Sequence, residues 1–314
     1  MGPIKSIRVS QSGQSQFKTI QSAINTVPMQ NSQWTHIQIA PGIYREMVTI
    51  LKTKNCIYLE GASSNLTIVE SDGHMDKHLE FPTLNSRADN TVAKGITFKN
   101  TYNDPALRGD ENHKILPALA ARVQGDKCAF IECAFLGVQD TVFDRSGRHY
   151  FHKCYIQGGI DFIFGDARSM YDECTIMFSM GKEGPKDMGG VITANKRSSP
   201  KDESGFVLKN SNITGNGIGK LTLGRGYGEY SRVIIANSFL GDVVSPQGWV
   251  AWNGASHEGN LTYVEEGCTG PGADKSKRVP WMKHLSGNQL QQFTDIKLFI
   301  DPEGWISKLP IQHS

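Results

Sequence analysis

The chain has 314 residues, a formal net charge of +2 and a pI of about 8.1, with 20% charged and 38% hydrophobic residues, which is ordinary for a soluble protein. No Lys/Arg cluster forms a nucleic-acid stripe, and no run of 18 or more apolar residues exists, so a membrane-spanning helix is excluded. The 33 glycines require many tight turns, and without a linker-like stretch a single domain over residues 1–314 is expected.

In chain order, the first nine residues lack the apolar core of a signal peptide. Phe17, Ile20, Ile24 and Val27 then form one apolar stripe that Pro28 ends, so a short helix is expected there, capping an open end of the fold. Stretches 74–90, 102–116, 180–190 and 270–280 are polar and read as loops, and residues 286–300 as a second helix on the flank. Between these lies an internal repeat. AFIECAFLG (129–137), YFHKCYIQG (150–158) and MYDECTIMF (170–178) share an aromatic, a Cys three residues on and an apolar residue two further. Cys133, Cys154 and Cys174 are 21 and 20 residues apart. The frame continues with Asn in the Cys position around Asn210 and Asn237, and earlier around Asn100.

Self-similarity at this period, built from short alternating runs that end in turns, predicts an all-β, right-handed parallel β-helix. Neighbouring coils then lie about 4.8 Å apart and equivalent residues stack. Phe130, Phe151 and Tyr171 are expected to form one ladder, and Phe135, Ile156 and Ile176 another. In-register cysteines point in parallel, so all six are expected as free thiols. Three Asn-X-Thr triplets, at Asn65, Asn212 and Asn260, fit the glycosylation pattern of a secreted protein.

Asp140 follows Cys133 by seven residues and Asp161 follows Cys154 by seven, so the frame places these aspartates in neighbouring coils roughly 5 Å apart. Two carboxylates that close, among Val142, Phe143, Phe162, Ile163 and Phe164, resist joint ionisation, which separates an acid from a base or nucleophile. Aspartates that merely cap backbone N–H groups in turns are the alternative reading.

The segments Gly137-Val138-Gln139-Asp140-Thr141 and Gly159-Ile160-Asp161-Phe162-Ile163-Phe164-Gly165 resemble the pectin methylesterase (pectinesterase) family, its plant branch most closely. Gly42-Ile43-Tyr44-Arg45-Glu46, Gly95 to Thr101, Leu223-Gly224-Arg225-Gly226-Tyr227, and Gly248-Trp249 with Trp252 resemble further family elements in the same order. The resemblance implies that Asp161 is the nucleophile, Asp140 the acid/base, Gln139 an oxyanion donor and Arg225 the group that orients Asp161. It also implies sugar-stacking walls at Phe143, Phe164, Tyr227 and Trp249. The implied substrate is methyl-esterified homogalacturonan in the cell wall, with no cofactor or metal, a monomeric secreted protein and a proteinaceous inhibitor as a further partner.

Two positions depart from the family pattern. Tyr227 replaces a Trp, and Pro117 stands where the family has a Gln that gives a second oxyanion donor. Losing one such donor costs about 2.7–4 kcal/mol of barrier, so Pro117→Gln is expected to raise turnover. A pectin-binding member with impaired catalysis is the alternative. Pectate lyase chemistry lacks its calcium carboxylate cluster here, and polygalacturonase chemistry lacks its Gly-His-Gly element.

Overall fold

Short alternating runs stack coil on coil into a parallel β-helix in the computed structural model, which describes residues 5–13, 15–76, 81–104, 114–181, 188–252 and 257–311. Among these residues the strands make three sheets of ten, eight and eight members, and successive coils pair in parallel. Both expected ladders form. Phe130 lies opposite Phe151 and Phe151 opposite Tyr171, with ring centroids 5.0 and 4.5 Å apart, while Phe135, Ile156 and Ile176 align beside them. All six side chains are fully buried, each contributing about 1.5–3 kcal/mol of apolar transfer.

The repeat frame shifts by one residue beyond Cys174. Thr175 pairs with Asn212 and Asn212 with Phe239, so Ser211 and Ser238 continue the cysteine column, and Ser211 Oγ accepts from Cys174 N at 3.1 Å. Asn210 and Asn237 sit one position earlier at φ 51° and 49°, level with Glu132, Lys153 and Glu173 at 53–54°. This turn needs a left-handed residue, which asparagine tolerates well, and that is why Asn recurs there. Nor does Asn100 lie in the cysteine column. Thr97 pairs with Ala134, which puts Ile96 level with Cys133, and Gly95 (φ 64°) supplies the left-handed turn. The six cysteines are free thiols, and those of Cys154 and Cys174 contact Phe130 O and Phe151 O of the preceding coils at 3.2 and 3.4 Å.

The capping helix is shorter than its apolar stripe, spanning Ile20–Asn25 with Thr19 as N-cap. Glu46 accepts from Ile20 N at 2.8 Å and Gln21 N at 2.9 Å, where the helix dipole favours an anion. At the other end the buried ammonium of Lys54 donates to Ile24 O, Asn25 O and Val27 O at 2.7–3.0 Å, satisfying carbonyls the short helix leaves open. Residues 286–300 form two short helices, Asn288–Thr294 and Ile296–Phe299, rather than one. With Trp305 they cover the outer face of the ten-stranded sheet, packing Phe299 and Ile300 near Tyr58, Val92, Met170 and Val207. The stretch 74–90 is not wholly loop, since Leu84–Ser86 is a strand between Val48–Ile50 and Ala121–Val123. Three residues are too few for alternation to register in the sequence. The loops expected at 102–116 and 180–190 lie in large part outside the described residues.

Candidate active site

The strand Val142–Asp144 pairs with Ile160–Gly165, and Gln139 bridges Ile160, so Asp140 and Asp161 are equivalent residues of adjacent coils. Asp140 N donates to Ile160 O at 2.9 Å. Both aspartates hold left-handed backbone, φ 61° and 47°, a conformation that costs energy for a side chain with Cβ and that clusters at functional sites. A bulge lies at the second one. Ile160 pairs with Val191 but Ile163 with Thr193, so Asp161 and Phe162 share a place that one residue fills on the neighbouring strand. Bulges of this kind re-aim a side chain.

Asp161 is 8% exposed. Burial pushes its carboxyl above the usual carboxylate range, and the Arg225 guanidinium opposes that rise. Arg225 reaches it bidentately, Nε to Oδ1 at 2.8 Å and Nη2 to Oδ2. Trp252 covers the guanidinium from the other side, 4.3 Å from its ring centroid. The guanidinium favours the charged form of this dehydrated carboxyl, against its burial, and aims it in one direction.

Asp140 opens onto a cavity of about 240 Å³ lined also by His74, Met75, Phe81, Pro117 and Leu119 and by Phe143, Phe164, Lys196 and Tyr227. Phe143 and Phe164 stack at 4.4 Å, half-exposed, and Tyr227 is 39% exposed and tilted against Trp252 at 4.9 Å. These three rings are part of the cavity wall. Trp249 is not. It is fully buried, stacked on Tyr263 at 4.6 Å, with Nε1 donating to Glu265 at 2.8 Å. Its strand neighbour Val250 faces outward in its place, because alternation lets only one of the two do so. Gly224 opposite leaves room for the indole, since a Cβ there would meet Trp249 Cζ3 at 3.1 Å. Trp252, in the same segment, is half-buried and lies over Arg225 and against Tyr227.

Gln139 is half-buried beside Asp140, and its carbonyl accepts from Ala118 N at 3.2 Å. Pro117 lies in the cavity wall, and its carbonyl accepts from Met75 N at 2.9 Å. His74, Met75, Phe81 and Lys196 were not singled out from the sequence. They come from turns outside the repeat frame, where spacing carries no signal.

Among the described residues, His152, Asp172 and Glu173 bring ligand atoms within 4.8 Å of one another. Lys209 Nζ lies 3.5 Å from Asp172 and Lys153 Nζ 3.9 Å from Glu173, so the charge that would draw a cation is already met. Of the glycosylation triplets, Asn65 and Asn212 are exposed, while Asn260 is half-buried with Nδ2 3.4 Å from Glu229.

The family described as Pectinesterase matches residues 6–304. A protein of Arabidopsis thaliana named putative pectinesterase 10 is 45% identical over 98% of this chain and 88% of its own length, and probable pectinesterase 29 of the same plant is 46% identical over 96% and 89%. Among solved structures, the pectin methylesterase from carrot superposes with a TM-score of 0.88 at 29% identity, covering 100% of this chain and 98% of the carrot chain.

Proposed function

Because the chain belongs to the pectinesterase family, and so to the carboxylic ester hydrolases, we propose that it demethylates methyl-esterified homogalacturonan in the plant cell wall, with Asp161 as nucleophile. The observation that carries this reading is a nearly dehydrated Asp161, pinned by Arg225 and set one coil from an Asp140 that opens onto an aromatic-walled cavity.

A carboxylate oxygen of Asp161 attacks the C6 carbonyl carbon of a galacturonate methyl ester. The carbonyl electrons move onto oxygen, and Gln139 donates a hydrogen bond to the anion. As the tetrahedral intermediate collapses, the C–O bond to methoxy breaks and Asp140 delivers its proton, so that methanol leaves. An anhydride between Asp161 and the sugar remains. Asp140, now ionised, takes a proton from water as that water adds to the acyl carbon, releasing galacturonate and regenerating both aspartates. Phe143, Phe164 and Tyr227 provide apolar faces for the sugar rings.

Methanol release from highly methylated pectin tests the reading, with Asp161→Ala as the control. Turnover by the wild type that Asp161→Ala abolishes is the expected result. Equal inactivity of the two with retained pectin binding overturns it in favour of a binding protein, a second reading that Pro117 in the cavity wall motivates.

A further inference from the structure

The cavity that Asp140 lines is walled in part by the apolar Met75, Phe81, Pro117 and Leu119; His74, Lys196 and Tyr227 bring polar hydrogens to it, and of these His74 is tied to Pro117 through its neighbour Met75. Its position is set from both flanks. Gly73 O, just before it, accepts from Asn100 Nδ2 at 2.6 Å, and Met75 N, just after it, donates to Pro117 O at 2.9 Å. The same Asn100 accepts through Oδ1 from Tyr102 N at 2.9 Å, and the imidazole stacks on the buried Tyr102 ring at 3.9 Å and 22°. A Cβ at Gly73 would lie 2.2 Å from Phe81 O, so this turn closes tightly only with glycine. His74 is therefore a half-buried ring, clamped next to the residue that displaces the family's glutamine.

We propose that His74 is the second oxyanion donor of this chain, hydrogen-bonding the carbonyl oxygen of the substrate ester as it becomes negative and standing in for the side chain that Pro117 lacks. A neutral imidazole carries one N–H in either tautomer, as a glutamine amide carries N–H donors, so it supplies the same interaction. Pre-stacking on Tyr102 removes the cost of orienting it at the moment of reaction. The inference rests on the esterase reading and revises the expectation for Pro117→Gln: with His74 present, the added amide has less to supply.

Steady-state kinetics of methanol release from methylated pectin test it, using wild type, His74→Phe, His74→Gln and Pro117→Gln alone and combined with His74→Phe. Phenylalanine keeps the stack on Tyr102 and removes the donor, and thermal melting checks that each variant is folded. The expected result is a kcat for His74→Phe lower by about 100-fold or more at little-changed KM, in line with loss of one oxyanion donor. His74→Gln should retain most of the rate, and Pro117→Gln should raise kcat at least tenfold more in the His74→Phe background than in the wild type. A His74→Phe enzyme with wild-type kcat, a loss confined to KM, or an equal gain from Pro117→Gln in both backgrounds overturns the proposal while leaving the esterase reading intact. An inactive, folded wild type overturns the esterase reading itself, and this proposal with it.

Discussion

The N-terminal cap and the groove each seat a carboxylate against donors, and they do it to opposite ends. At the cap, Glu46 meets two helix N–H groups and Lys54 meets three carbonyls, so each charge is matched by the dipole end it faces. In the groove, Asp161 is held in left-handed backbone beside a bulge, dehydrated, with its carboxyl pushed up despite a bidentate arginine. One carboxylate is met by donors that stabilise the fold, and the other is the one proposed to react. The segment Gly42 to Glu46, which resembles a family element as clearly as the aspartate segments do, thus belongs to assembly rather than chemistry.

Substitutions can break this contrast. The largest effect expected is at Asp161, where Ala should lower kcat on methylated pectin by at least about 10⁴-fold, as loss of a nucleophile does, without lowering the melting temperature. Next comes Trp249→Ala, expected to cost about 3–5 kcal/mol of stability in urea titration through a core cavity. Trp249→Phe, which refills most of that space, should leave KM unchanged, and a raised KM would return the indole to the groove. Arg225→Gln should lower kcat about 100-fold and shift the pH profile. Since burial already holds the Asp161 carboxyl above the ordinary range of about 4, activity should fall as pH drops through that raised value, and removing the guanidinium should move this acid limb to higher pH. An acid limb that stays in place would separate Arg225 from the ionisation of Asp161. The smallest effect is Glu46→Ala, expected to cost about 1–2 kcal/mol of stability with kcat unchanged, and any change in turnover would dissolve the distinction between cap and groove.

A buried charge pair outside both regions gives a separate pH test. His149 donates from both ring nitrogens, to Asp144, which also accepts from Tyr171 Oη at 2.6 Å, and to Gly125 O at 2.7 Å. Burial alone would lower its pKa, but Asp144 beside it outweighs that and raises it to about 10. A raised folded value means stability that is fully present below the unfolded pKa of about 6.5 and lost as pH climbs toward 10. Urea midpoints measured across that window should decline in the wild type and stay flatter in His149→Phe.

The sequence exposed the coil stacking because in-register pairing repeats the same aromatic and apolar choices, as at Phe130, Phe151 and Tyr171. It exposed the aspartate pair for the same reason, since an equal offset from Cys133 and Cys154 is a statement about register. What it hid depends on facing and on local backbone. Trp249 and Trp252 are equally aromatic in the sequence, and only the facing of the two-residue strand Trp249–Val250 says that Trp249 is the buried one. The asparagine column stands one residue before the cysteine column, because its left-handed φ, invisible in the letters, belongs to the preceding turn. His74 was hidden in a polar turn, brought to the cavity by hydrogen bonds that its neighbours make across tens of residues, Gly73 O accepting from Asn100 and Met75 N donating to Pro117 O.

A stack of coils in which each touches only its neighbours would melt from its ends inward, one rung at a time. The C-terminal segment works against such fraying. Glu303 pairs with Lys127 at 3.0 Å and Arg148 at 2.7 Å, in the middle of the solenoid, while Phe299, Ile300 and Trp305 lie along a face that runs from Tyr58 to Val264. Residues far apart along the helical axis therefore share one strap, which ties distant rungs to a common unfolding event and lets the middle coils, where the aspartates sit, resist opening as firmly as the whole.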